Sequence, residues 1–106
     1  MHAELVSFDA PAGSTRESIV ADALATIAHW RANPDLIRKH YLVSADNRRL
    51  MGFYLWRSRE AAERGHDAAW IAAAEARSGC KITISAYDLF LLLDNASATL
   101  ARFDDE

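Results

Sequence analysis

One thiol is all this chain has, Cys80. An internal disulfide is impossible, so nothing calls for an oxidising compartment, and the cytoplasm is the expected location. Excess basic charge is missing as well: 12 lysines and arginines stand against 15 carboxylates, a formal net charge of -3. Such a balance gives no long-range attraction for a phosphate backbone. The basic residues form only the short groups Arg38-Lys39-His40, Arg48-Arg49 and Arg57-Arg59, and a strand sends neighbours to opposite faces. Nucleic acid is therefore not an expected partner. Long apolar runs are also absent. Leu89 to Leu93 is the longest strongly apolar one, far too short to cross a bilayer. Met1-His2-Ala3-Glu4 lacks the basic start and apolar run of a signal peptide. No membrane segment is expected.

Chemical signatures are equally sparse. No G-x-S-x-G elbow, P-loop or G-x-G-x-x-G occurs, which leaves hydrolase, phosphoryl-transfer and dinucleotide readings unsupported. His2, His29, His40 and His66 show no ligand spacing with one another or with the lone thiol, so no metal is expected. Cys80, directly after Gly79, reads as a small buried residue at a strand start rather than a nucleophile. His29 and His40 read as surface residues.

What is present suits one core. A second would need about 50 residues of its own, and 106 residues with 51% hydrophobic side chains suffice for a single domain over 1–106. Leu5, Val6 and Phe8 form a first strand closed by Pro11 and Gly13. Ser14 stands three residues before Glu17, the spacing of a helix cap. A helix from about Thr15 to Arg31 follows, with Val20, Ala23, Leu24, Ile27 and Trp30 as its apolar stripe, and Asn33-Pro34 stops it. Leu36 to Ser44 and Leu50 to Trp56 read as a hairpin with its tip at Asp46–Arg49. Ser58 caps a second helical region that Gly65 interrupts, Asp67 restarts and Gly79 ends. Lys81 to Leu93 is the last strand, and residues from about 96 to 106, ending Asp104-Asp105-Glu106, form a frayed tail.

Strand, helix, strand, strand, helix, strand is the order of a ferredoxin-like βαββαβ fold. It is an α+β architecture with four antiparallel strands and two helical regions on one face. Its strands are apolar on both parities. Met51, Phe53 and Leu55 oppose Tyr54 and Trp56, while Ile82, Ile84, Phe90 and Leu92 oppose Tyr87, Leu89, Leu91 and Leu93. Two helices can shield one set only. The other would be a large exposed apolar patch, so a homodimer formed sheet to sheet is the expected assembly.

A hairpin turning about Asp46–Arg49 places Lys39, Tyr41 and Ile37 on one face with Tyr54 and Trp56, and Arg38, His40 and Leu42 on the other with Phe53 and Leu55. The pair Phe53 and Leu55 suits helix packing. That leaves the Lys39 face toward the dimer, unless a bulge reverses the assignment. An ammonium and phenols between aromatic walls can bind a phenolate or enolate where water is excluded. The plainer alternative is that Tyr54 and Trp56 are packing and Lys39 extends to solvent. His66 and Trp70, four apart, share a face of a continuous helix and would set a proton carrier beside a stacking surface; a solvent-touching His at a helix end is the alternative.

The runs Pro34-Asp35-Leu36-Ile37-Arg38-Lys39, Met51-Gly52-Phe53-Tyr54-Leu55-Trp56 and Ser58-Arg59-Glu60-Ala61-Ala62-Glu63, with the late Leu93-Asp94-Asn95, resemble the small mono-oxygenases of the YdhR type. These are dimeric α+β barrel proteins related to antibiotic-biosynthesis mono-oxygenases. The resemblance spans roughly Ala3 to Asn95. It implies two protomers with facing sheets and a pocket between each sheet and its helices or near the barrel mouth. It further implies cofactor-independent oxidation of a small aromatic or polyketide-like phenol by O2. In that reading Lys39 stabilises the substrate anion, Tyr54 orients it, His66 moves protons, and Tyr41, Trp56 and Trp70 contact the ligand. Haem-degrading relatives carry an Asn on the first strand. Glu4 to Asp9 has none, which turns the expectation away from haem, and no cofactor is expected. Two alternatives stand beside this one: a non-catalytic small-molecule-binding or accessory dimer, and an isomerase or lyase using His66 as base.

Overall fold

The computed structural model describes residues 1–103; the frayed end expected for 104–106 lies outside them. β1 (His2–Asp9) leads to the helices α1 (Arg16–Leu24) and α2 (Ile27–Arg31). The hairpin of β2 (Leu36–Val43) and β3 (Arg49–Trp56) follows. Then come α3 (Arg59–Gly65), α4 (Ala68–Ser78) and β4 (Thr83–Asp88). These four strands form one antiparallel sheet in the order β2-β3-β1-β4, the ferredoxin-like arrangement.

Directly opposed residues share a face. The pairs His2 with Trp56, Glu4 with Tyr54 and Val6 with Gly52 therefore define an inner face, joined by Lys39 opposite Tyr54 and Tyr41 opposite Gly52. Val6, Tyr54 and Trp56 form the buried core with Trp30 of α2 and with Ala61 and Ala62 of α3. Both helical regions thus pack on the Lys39 face. The expected assignment of Phe53 and Leu55 to the helices, and of Lys39, Tyr41, Tyr54 and Trp56 to the dimer side, is inverted. Both parities of β3 are apolar, so pattern alone could not choose between them. Trp30 decides it, by setting its ring edge-on to Tyr54 at 5.3 Å and to Trp56 at 6.3 Å between centroids.

Local hydrogen bonds move several boundaries. The first helix is capped by Thr15, not Ser14: the Thr15 hydroxyl accepts the Ser18 N–H at 3.1 Å, and the Ser18 hydroxyl accepts the Thr15 N–H at 2.9 Å. Ser14 is drawn off by a 2.6 Å bond to the Pro11 carbonyl. The helix expected through Arg31 breaks at Ala25-Thr26, where the Thr26 N–H and hydroxyl both donate to the Ala23 carbonyl, a tightening that ends regular α-turns. Val20 and Leu24 consequently lie 48% and 65% exposed, and Ile19, Ala23 and Thr26 face inward. The second helical region follows its expected signals: Ser58 accepts the Ala61 N–H, Asp67 the Trp70 N–H, and Gly79 closes α4 with φ 73°. A register shift between Leu36 and Arg38 sets Leu36 against the core. Ile37, expected beside Tyr41, is left 41% exposed.

The last strand is shorter than Lys81–Leu93. Its ladder runs out where Asp88 meets His2, and the chain then pairs with itself as a separate hairpin of β5 (Leu91–Asp94) and β6 (Thr99–Arg102). The turn is held by Asp94, whose carboxylate accepts the Ala96 and Ser97 N–H groups, and Ala98 takes the left-handed conformation at φ 55°. The segment expected to fray from about residue 96 is thus ordered through Arg102.

The outer face of the four-stranded sheet is only partly exposed. Arg38, Leu55, Ala3 and Tyr87 form one row across the sheet there. Leu55 and Ala3 are only 5% and 4% exposed although both helical regions lie on the other side. Ser97 hydrogen bonds hold the Asp94 carboxyl below its ordinary value, and the Arg38 guanidinium adds to that shift. Apolar exposure remains at Tyr87 on the sheet and continues along the C-terminal arm, where Phe90 and Leu93 are 67% and 66% exposed.

Candidate functional site

Glu4 organises the inner face. Its neighbours on the same parity of β1 are His2 and Val6, and it is 6% exposed. An ionised carboxylate so placed needs charged or polar partners. Its Oε1 accepts the Trp56 indole N–H at 2.8 Å and lies 2.8 Å from His66 Nδ1. His66 is not on a helix face. It is the residue after α3, with φ -115° and ψ 55°, and this joint turns its imidazole toward the sheet while Asp67 starts α4.

The imidazole, 5% exposed, is ringed by aromatics. Centroid distances are 4.3 Å to Trp70, 4.4 Å to Tyr54, 5.4 Å to Trp30 and 5.5 Å to Trp56. The expected juxtaposition of His66 and Trp70 therefore exists without a continuous helix, and the solvent-touching alternative is excluded. With Nδ1 committed to Glu4, Nε2 is buried and has no hydrogen-bond partner among the described residues. Gly65 completes the fit: a Cβ there would run into the six-membered ring of Trp56, which is 0% exposed.

Beyond this cluster, between sheet and helices, is a cavity of about 690 Å³. Trp30, Lys39, Tyr41, Tyr54 and Trp70 line it, with Val6, Phe8, Ile19 and Leu50 among the apolar walls. His66 and Trp56 do not line it. They stand behind, as the support of Tyr54 and Trp70. Lys39 reaches in from β2 with Nζ 3.9 Å from the Tyr41 ring centre, 4.7 Å from Trp30 and 4.8 Å from Tyr54. Ammonium over aromatic faces is an attractive arrangement. No carboxylate pairs with it among the described residues. Burial without a counter-ion lowers the Lys39 pKa to about 7, whereas burial, followed by Tyr41 and Glu4, raises that of Tyr54. Tyr54 is thus held as a neutral phenol that can donate a hydrogen bond. Tyr41 shares a 2.8 Å hydrogen bond with the Thr26 hydroxyl.

Of the six residues singled out from the sequence, Lys39, Tyr41, Tyr54 and Trp70 converge on the cavity, and His66 and Trp56 back it. Glu4 and Trp30 were missed as site residues. A carboxylate sharing strand parity with Val6 and Phe8 was the available signal for Glu4. Cys80 is half-buried, and its sulfur accepts the Asp9 N–H at 3.2 Å. Among the described residues no three His, Cys, Asp or Glu side chains gather as a metal site, and no helix is long and apolar enough to cross a membrane.

No family model and no curated protein matches this chain by sequence. Solved structures do match it. A monooxygenase from the gene ActVA-Orf6 of Streptomyces coelicolor, in complex with nanaomycin D, superimposes with a TM-score of 0.62 at 20% identity, over 83% of this chain and 86% of its own. SnoaB of Streptomyces nogalater, a cofactor-independent oxygenase solved as a point mutant, gives 0.60 at 15% identity over 83% and 92%. Rv0793 from Mycobacterium tuberculosis gives 0.62 at 19% identity over 85% and 96%. The fold is one these proteins share. It agrees with the fold that the sequence resemblance implied, and at such identities fold is what the likeness establishes.

The unpaired ammonium has a thermodynamic consequence. Its pKa is lower folded than unfolded, so between pH 7 and 10.5 the unfolded chain binds more protons at this site, and stability rises with pH across that window. Replacing Lys39 by Met removes this contribution. Urea unfolding of both proteins should show the variant gaining on the wild type below pH 7, with the advantage shrinking toward pH 10.5; parallel pH profiles would contradict the burial of an uncompensated cation.

Proposed function

We propose that the protein is a cofactor-independent mono-oxygenase acting on a small aromatic or polyketide-like phenol. The observation carrying this reading is the cavity of about 690 Å³ in which Lys39, without a carboxylate partner, meets Tyr41, Tyr54, Trp30 and Trp70. A flat phenol fits between such rings. The Lys39 ammonium would stabilise its anion, and the neutral Tyr54 would hold the anionic oxygen by a hydrogen bond. A ring-activated CH2 then becomes C=O. One atom of O2 enters the product, the other leaves as water, and the electrons come from the substrate. His66 acts through position rather than contact, since it does not line the cavity and is surrounded by Trp30, Tyr54, Trp56 and Trp70. ActVA-Orf6 and SnoaB, described as a monooxygenase and a cofactor-independent oxygenase, support the reading through the shared fold, and the YdhR-type motifs support it through sequence.

Oxygen uptake with a panel of phenols, anthrones and hydroquinones tests it. The expected result is turnover that falls at least about tenfold in Lys39→Ala and in Tyr54→Phe, with far-UV spectra unchanged. No uptake by the wild type across the panel would overturn it.

A non-catalytic binding role draws support from one observation: His66, the proton carrier expected from the sequence, does not line the cavity. The same observation weakens the isomerase or lyase reading, which needs His66 as base. In either role the active assembly would be a homodimer, because Phe90, Leu91, Leu93 and Leu100 of the arm are 43–67% exposed and call for an apolar cover. Sedimentation at micromolar concentration should give twice the 11.8 kDa of one chain, and a lone protomer would contradict the dimer.

A further inference from the structure

The chain has two lysines, Lys39 and Lys81, in opposite surroundings. Lys81 is exposed. Lys39 projects into a lined cavity, its Nζ within 4.8 Å of three ring centres. We propose that Lys39 is a reactive amine that captures an aromatic or conjugated aldehyde or ketone as a reversible imine in the cavity between sheet and helices. This goes beyond the oxygenase reading and needs no O2.

Three features carry it. A lysine becomes a nucleophile when an apolar site and the lack of a counter-ion favour its neutral form. The titratable and charged groups facing the cavity besides Lys39 are Asp22 and His29 of the first helical region, Tyr41 and Tyr54 of the hairpin and Arg77 of α4, and none is in an ion pair with it. Burial brings the amine to about 7, so both amine and ammonium are present near neutrality. Finally, Trp30, Tyr54 and Trp70 offer flat walls that favour a planar carbonyl compound.

The steps balance without an added oxidant or reductant. The nitrogen lone pair adds to the carbonyl carbon, the C=O π pair moves to oxygen, and a proton passes from nitrogen to that oxygen, giving a carbinolamine. The C–O bond then breaks as the nitrogen lone pair forms C=N. The oxygen leaves as water with the second amine proton. Tyr41, whose ring lies beneath Nζ and whose hydroxyl is already in a hydrogen bond with Thr26, is the adjacent hydroxyl for relaying that proton.

The test uses the full chain at pH 7 under argon, with 4-hydroxybenzaldehyde and sodium cyanoborohydride, and peptide mapping by mass spectrometry. Lys39 should be reductively alkylated at least about ten times faster than Lys81. Excess 4-methylphenol, which has no carbonyl, should slow Lys39 and leave Lys81 unaffected, and Lys39→Arg should lose the adduct with Lys81 labelling unchanged. In 8 M urea the two lysines should react alike. Equal rates in the native protein, or a preference that survives urea, would overturn the proposal whether or not the Lys39→Arg variant folds. Since no O2 is present, failure here leaves oxygenation to be decided by oxygen uptake.

Discussion

A carboxylate on the inner face of a half-covered sheet must be solvated by the protein itself, and Glu4 meets that demand with a single oxygen. The Trp56 indole and the His66 imidazole both bind Oε1. Leaving a buried donor or acceptor unpaired costs about 1–3 kcal/mol, so the three side chains constrain each other strongly. The bonds join β1 to β3 and both to the joint between α3 and α4. With Trp56 pinned, residue 65 must lack a side chain, and the imidazole is fixed against Tyr54, Trp70 and Trp30. The aromatic wall of the cavity is therefore the far side of a buried hydrogen-bonded network.

That construction separates two jobs the sequence runs together. Lys39, Tyr41 and Tyr54 sit where a ligand can touch them, and exclusion of water sets the charge states of Lys39 and Tyr54. His66 and Trp56 set the shape from behind. A cavity lined by aromatic rings, with the Lys39 amine and the neutral Tyr54 phenol reaching into it, suits recognition of a flat anion or a carbonyl. The scaffold hosts many activities, so the chemistry rests on these side chains rather than on the fold.

The sequence announced the elements that depend on neighbours in the chain. Ser58, Asp67 and Gly79 mark helix ends because their hydrogen bonds are made within a few residues. The hairpin tip put Lys39 opposite Tyr54 for the same local reason. What depended on distant partners was hidden. Parity sorted β3 into two faces but could not say which one the helices cover, since a ring from α2 settles that. The shift at Ile37 exchanged it for Leu36 without any glycine or proline to flag it. Glu4 looked like an ordinary polar residue near a terminus, its partners lying 52 and 62 residues away. The C-terminal arm carries a turn signal, Asp94-Asn95-Ala96-Ser97, but its first strand, Leu91–Asp94, is hidden within the apolar run that continues from β4.

The role of the buried network is most directly measured by a double-mutant cycle on unfolding free energy. The proteins are the wild type, Glu4→Gln, His66→Gln and the double variant, compared by urea denaturation at pH 7. Contact through Oε1 predicts a coupling energy of about 1 kcal/mol or more between the two sites. Single-variant losses that add to within about 0.3 kcal/mol would contradict it, and would mean that Glu4 does not hold His66 in place.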